Sequence, residues 1–202
     1  MIIYDCEIVK GILKKGDLPV SGIEYCHGWR DFENMGIRVI GAYDYSTDRY
    51  RVFLEDNFEE FQNLIFSTDL VVGFNSLNFD NNLLRANGFS LDDGHSYDLL
   101  KEIWAGAGLG ATFSPSTHGG FGLDACCWAN FQTSKTGHGA MAPIDWQQGR
   151  RGKVIDYCLM DVRLTKQLLD KVINQGWVLD PRNGHSQLAV KAPSVVVGEF
   201  AG

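Results

Sequence analysis

The apolar positions fall into distinct rhythms along the chain. Ile2-Ile3-Tyr4-Asp5-Cys6-Glu7-Ile8-Val9 is an apolar run broken by two acids and predicts a buried strand. It starts almost at Met1, so no domain is expected ahead of it. Residues 11–35 are rich in glycine and turn formers and predict a long excursion. Residues 37–45 and 50–54 flank the Ser46-Thr47-Asp48 turn and predict a hairpin. Asn57 then stands where it would cap a short helix over 58–66, with Glu59 and Glu60 in its first turn.

Residues 70–74 predict a short buried strand that ends at Asn75. A helix is expected over 79–87, closed by Gly88. Further helices are expected over 97–105 and 123–131, and a short one opened by Pro143 through 148. Glycine-rich loops fill 106–122 and 133–142. In the last helix, 153–174, Ile155, Cys158, Leu159, Val162, Leu169, Val172 and Ile173 keep close to the 3.6-residue period. A hairpin followed by alternating helix and strand predicts an α/β fold. Its central mixed sheet should hold about five strands with flanking helices.

Composition adds boundaries. The 202 residues are 45% hydrophobic and 21% charged, enough for one domain over 1–202 with a real core. Residues 176–202 carry an apolar patch at 195–197 and are left as an unassigned C-terminal extension. No apolar run approaches the ~18 residues of a membrane span. Five cysteines form no C-x-x-C pair, and with no signal peptide they point to small core hydrophobes in a reducing cytoplasm. A net charge of −7 argues against tight nonspecific nucleic-acid binding. It leaves room for acids that hold divalent cations where phosphate must sit.

Three segments carry candidate chemistry. Asp5 and Glu7 are two apart on a strand and share a face. Two adjacent acids on an apolar strand repel unless a cation lies between them, or unless that face meets solvent. Asp80 follows a strand-to-helix turn, where α/β sheets gather functional groups. Taken alone, capping by Asn78 or Asp80 is the better explanation of that turn. Tyr157 and Asp161 are four apart and share a helix face, which a hydrogen bond at the core margin would also explain.

In order, these segments resemble the three motifs of the DEDD 3′–5′ exonucleases within the ribonuclease H-like superfamily. The motifs are Asp-x-Glu (Asp5, Glu7), Asn-x-x-x-Phe/Tyr-Asp (Asn75, Phe79, Asp80) and Tyr-x-x-x-Asp (Tyr157, Asp161). The tyrosine places the likeness in the DEDDy subgroup. The histidine subgroup would need His at the position of Asp156. The resemblance implies a ribonuclease H-like fold and metal-dependent release of nucleoside 5′-monophosphates from 3′ ends of single-stranded nucleic acid, DNA favoured over RNA. It implies two Mg²⁺ or Mn²⁺ ions held by Asp5, Glu7, Asp80 and Asp161. Asp5 would bridge both ions, and Tyr157 would orient the attacking water. Asn75 and Phe79 would meet substrate. A polymerase or helicase partner, or action alone, fits equally. The alternative function is a non-catalytic ribonuclease H-like module that binds nucleic acid or a partner.

Other residues are weighed singly. Arg150, Arg151 and Lys153 would contact substrate phosphate or line a solvated helix entrance. His118 and His138 would touch substrate phosphate from the glycine-rich loops, though plain surface positions are the better reading. Trp29, Trp104 and Trp146 would stack on bases, with core or rim packing the default. Asp98 and Asp124 read as helix caps rather than extra ligands.

Overall fold

The computed structural model describes residues 1–14, 16–134 and 139–194. His138 and the 195–197 patch lie outside them. In chain order the strands and helices are β1 (Ile2–Ile8), β2 (Gly11–Ile12), β3 (Tyr25–Cys26), α1 (Phe32–Met35), β4 (Ile37–Asp44), β5 (Arg49–Phe53), α2 (Phe58–Phe66) and β6 (Val71–Gly73). They continue as α3 (Asp80–Ala86), β7 (Ser96–Asp98), α4 (Leu99–Gly106), α5 (Leu123–Phe131), α6 (Ala142–Gln147), α7 (Arg151–Gln175), β8 (Trp177–Leu179) and β9 (Gln187–Ala189).

The central sheet has five strands in the order β5-β4-β1-β6-β7. β1, β4 and β5 are antiparallel, whereas β6 and β7 run parallel to β1. This is the mixed sheet that the hairpin-then-alternation pattern predicts. Asp44 fixes the β4–β5 turn, accepting from the Ser46 amide and hydroxyl at 2.9 and 2.7 Å.

Alternation along β1 divides the core. Ile2, Tyr4, Cys6 and Ile8 pack with Phe61 and Ile65 of α2 and Leu83 and Leu84 of α3. Ile3 packs on the other face with α4, α5, α7 and the β8–β9 hairpin. Asp5 and Glu7 share that second face by parity. α7 lies across β4 and β1. Gly41 of β4 permits the approach, because a Cβ there would stand 3.0 Å from Cys158 Sγ and 3.3 Å from Val162. Added bulk would lift the helix from the sheet.

Several expectations need correction. The helix expected over 97–105 begins only at Leu99, because Tyr97 and Asp98 pair with Val72 and Gly73 as part of β7. Asn57 sits at the head of α2, but its side chain accepts from the Leu54 amide at 2.6 Å instead of capping. Asp124 lies inside the first turn of α5, whose cap position is Gly122. Asp98 does cap α4, through the amides of Leu100 and Lys101. The excursion 11–35 contains the small β2–β3 ladder and α1. The described part of 176–202, which the sequence leaves unassigned, has a place in the fold. It forms the β8–β9 hairpin and sends Val178, Leu188 and Val190 into the core. Among the described residues no helix is long and apolar enough to cross a membrane.

Candidate active site

β1 and β6 pair only at Ile2–Val71 and Ile3–Val72. Beyond Ile3 the two strands part, and the space between them opens a cleft of about 300 Å³. The Cys6 amide has left the ladder on this side and donates to Asp80 Oδ1 at 3.3 Å. On the other edge of β1 the register with β4 shifts between Glu7 and Ile8. Such an irregularity re-aims side chains at the end of a strand.

Asp5, Glu7, Asn75, Phe79, Asp80, Tyr157 and Asp161 all line this cleft. Three separate stretches of chain therefore meet in one cavity. Glu7, Asp80 and Asp161 are buried and Asp5 is half-buried. Burial pushes the Asp80 carboxyl up to about 7; the amides of Cys6 and of Asp80 itself pull it down, while Asp98 and Asp161 push it up. Among the described lining residues Lys14 is the one basic side chain, and it stands at the exposed rim.

The turn that delivers Asp80 is tightly specified. Gly73 is required at the end of β6, since a Cβ there would fall 2.4 Å from the Ser76 Cβ. Asn75 follows in the left-handed region at φ 67°. Asparagine tolerates that conformation better than most residues. Asp98 clamps the turn by accepting from the amides of Asn75 at 2.9 Å and Leu77 at 3.1 Å. Within α3, Asn81 accepts from the Tyr4 hydroxyl at 2.5 Å and donates to Asp93 and Ser96. Strand, turn and helix are thereby fixed to each other beneath the acid.

One donor atom each from Asp5, Glu7 and Cys158 lies within 4.8 Å of the others, so a metal ion could be held here. Cys158 suits the role poorly. Its Sγ is fully buried between strand and helix, donates to the Asp5 carbonyl at 3.4 Å and accepts from the Gly41 amide at 3.2 Å. Burial first, then the charges of Asp5 and Glu7, hold its thiol well above the usual range. Asp80 and Asp161 line the same cleft but are not part of that three-residue group; carboxylate oxygens such as theirs are the donors that hard divalent cations take.

Arg150, Arg151 and Lys153 do not line the cleft. Arg150 and Lys153 are bound to the buried Asp145 of α6, Lys153 Nζ at 2.7 Å. Arg151 lies over the Trp146 ring at 5.3 Å. His118 is neither a surface residue nor at the cleft. It is buried, its Nε2 stands 2.9 Å from the Gly110 carbonyl, and it meets Trp104 edge-on.

The motifs gave no sign of other lining groups: Ile12, Lys14 and Trp29 from the excursion, and Gly139, Ala140 and Pro143 from the later loop. Gly139 backs against the tyrosine, and a Cβ there would stand 3.1 Å from Tyr157 Oη. Trp29 meets Phe79 edge-on at 6.1 Å. The excursion is tied down by Gln147, which donates to the carbonyls of Val9 and Glu24 and accepts from the Glu24 amide at 2.7 Å.

No protein-family model matches the chain, and no curated protein matches it. Among solved structures, the chain is similar to the family B DNA polymerase from the hyperthermophilic archaeon Pyrobaculum calidifontis. The identity is 18%, the TM-score 0.55, and the match covers 85% of this chain. It spans 24% of the polymerase chain. At that identity the likeness speaks for fold alone. The fold is ribonuclease H-like: a mixed five-stranded sheet flanked by helices, with the cleft at the open end of its central strands.

Proposed function

We propose that this chain is a divalent-metal-dependent 3′–5′ exonuclease of the DEDDy group, acting on single-stranded nucleic acid. The observation that carries the reading is the meeting of four carboxylates and one tyrosine in a single cleft, from three distant segments. The buried, uphill ionisation of Asp80 supports a site designed around cations. DNA is proposed as the better substrate, with RNA tested beside it.

Asp5, Glu7, Asp80 and Asp161 would hold two Mg²⁺ or Mn²⁺ ions, which when bound supply charge neutralisation at the phosphate and lower the pKa of water. The residues of the chain supply the rest. Phe79, with Trp29 edge-on against it, offers an apolar wall for the terminal nucleoside. Asn75 presents a polar side chain at the same wall. The Tyr157 hydroxyl hydrogen-bonds the attacking water and fixes its line of approach. It orients the water and need not act as its formal base, because a bound cation would already lower the pKa of that water. Water oxygen bonds to phosphorus, the P–O3′ bond breaks, and the 3′ oxygen leaves with a proton. The terminal nucleotide departs as a 5′-monophosphate.

The test is a 5′-labelled oligonucleotide, DNA and RNA in parallel, with Mg²⁺ or Mn²⁺. A ladder shortening from the 3′ end is expected, fastest on DNA and absent in Asp5→Ala. Failure with both ions, or undiminished cleavage by Asp5→Ala, rules the reading out.

A further inference from the structure

A second, larger groove of about 690 Å³ runs beside the carboxylate cleft. The two share Trp29, Asn75 and Phe79 as a common wall. The groove owes its other surfaces to segments outside the three motifs. Arg30 comes from the 11–35 excursion, Lys101 from α4, and Phe113 from the glycine-rich loop after α4. Trp104 and Phe121, both 2% exposed, make the floor.

Two properties set this groove apart. Trp29 is 58% exposed and Phe113 56%, an unusual state for such large rings in one groove. Both are nonetheless held in place. Trp29 meets Phe79, and Phe113 lies 6.2 Å from Trp104 and 5.9 Å from His118. His118 in turn secures the loop, through the Ser114 amide at 3.2 Å and the Gly110 carbonyl. Rings fixed before binding lose little freedom when a flat group stacks on them.

The second property is sign. The chain carries a net charge of −7, yet the lining of this groove includes Arg30 and Lys101 and no carboxylate among the described residues. Exposed aromatic rings and cations in one groove fit a polyanion that carries unpaired bases. A duplex keeps its bases stacked inside and offers them nothing to rest on these rings.

Resting on the exonuclease reading, we infer that this groove holds the nucleotides upstream of the scissile 3′ end. Their bases stack on Trp29 and Phe113, and their phosphates face Arg30 and Lys101. The shared wall then marks the passage from groove to cleft. Strand preference is set by the excursion and the 106–122 loop, while the carboxylates perform the chemistry.

The experiment is fluorescence anisotropy of 5′-labelled single strands, oligothymidylate and oligouridylate, in EDTA over a series of salt concentrations. Phe113→Leu keeps an apolar filling against Trp104 and removes the ring; its Kd should rise on the order of ten-fold. The double variant Arg30→Ala/Lys101→Ala should flatten the slope of log K against log salt by about 1.4, or about 0.7 for each lost phosphate contact on a single strand. Both changes lie at exposed or half-buried positions, and unchanged thermal melting checks the fold. The same duplexed sequence should bind Phe113→Leu and the native chain alike. No strand binding by the native chain, or equal affinity and salt slope in the variants, overturns the inference. Hydrolysis by the native chain with Mg²⁺ is scored separately. Groove-dependent binding without hydrolysis removes the exonuclease reading and leaves the groove as a strand-binding site.

Discussion

Asp80 and Asp145 are the same residue type at nearly the same depth, 6% and 3% exposed, yet their carboxyls are displaced in opposite directions. Burial pushes both upward. At Asp145, hydrogen bonds from Lys153 and Arg150 outweigh burial and hold the carboxyl below its ordinary value. At Asp80 two amides resist burial without overcoming it, and the neighbours Asp98 and Asp161 are acids. One buried acid has its cations built into the chain. The other is surrounded by its own kind, in a cleft whose basic side chain stands at the rim. The contrast separates an acid that fastens two helices from an acid that, under the proposed function, a cation would meet.

The comparison is broken most directly by exchanging outcomes. Asp80→Asn should lower turnover by on the order of 10³-fold, the several kcal/mol by which a metal-assisted site stabilises its transition state. Asp145→Asn should leave turnover within a few-fold. Single-turnover hydrolysis of a labelled strand measures both, and equal losses would erase the distinction.

Next in size is the pH dependence of stability in EDTA. The folded carboxyl of Asp80, near 7, lies above an unfolded value near 3.9, so the folded state binds the proton more tightly. Stability should therefore fall as pH rises from about 4 to about 7, by about 4 kcal/mol at most. Asp80→Asn should remove most of that fall, and Mn²⁺ should restore stability to the native chain at pH 7. Urea denaturation at several pH values reads it. A curve that is flat in the native chain contradicts the account.

Asp145 should behave with the opposite sign. Its stabilisation is present above about pH 4 and is lost as pH falls through the lowered folded value. Asp145→Ala should cost about 2–3 kcal/mol at pH 7, since charged hydrogen bonds are lost while Arg150 and Lys153 remain able to reach water. The acid limb of the native stability curve should be shallower in this variant.

The smallest effect is expected at Gly139→Ala. The new Cβ presses on the Tyr157 hydroxyl and should lower kcat several-fold, with melting displaced by no more than the ~0.5 kcal/mol of a typical surface change. An unchanged kcat would mean that the tyrosine's position is not held from the loop side.

The long periodic elements were legible because burial imposes their pattern. α7 keeps a 3.6-residue stripe, with Cys158, Val162, Leu169 and Val172 in the core. Ile155 and Leu159 are only half-buried and Ile173 is exposed, and Val154 and Leu168 fill the buried face in their place. β1 and the β4–β5 hairpin are equally plain. β7, β8 and β9 have three residues each, too few to display a period, and their pairing is long-range. The motif residues were legible as an ordered set, and the fold brings them around one cleft. Trp29, Gly139 and Pro143 were not, because the loops carrying them are placed by distant partners such as Gln147. Arg150 and Lys153 read as cations ahead of a helix. Only three dimensions reveal that Asp145 occupies them.

The cleft draws its acids from β1, from the first turn of α3 and from the middle of α7, so most of the chain lies between the first and the last of them. As the polypeptide leaves the ribosome, the sheet and its first helices precede α7 by many residues. A nascent chain with β1 to β7 complete still lacks Tyr157 and Asp161. The cleft is thus completed late, and its lining comes together only when the final long helix settles across Gly41.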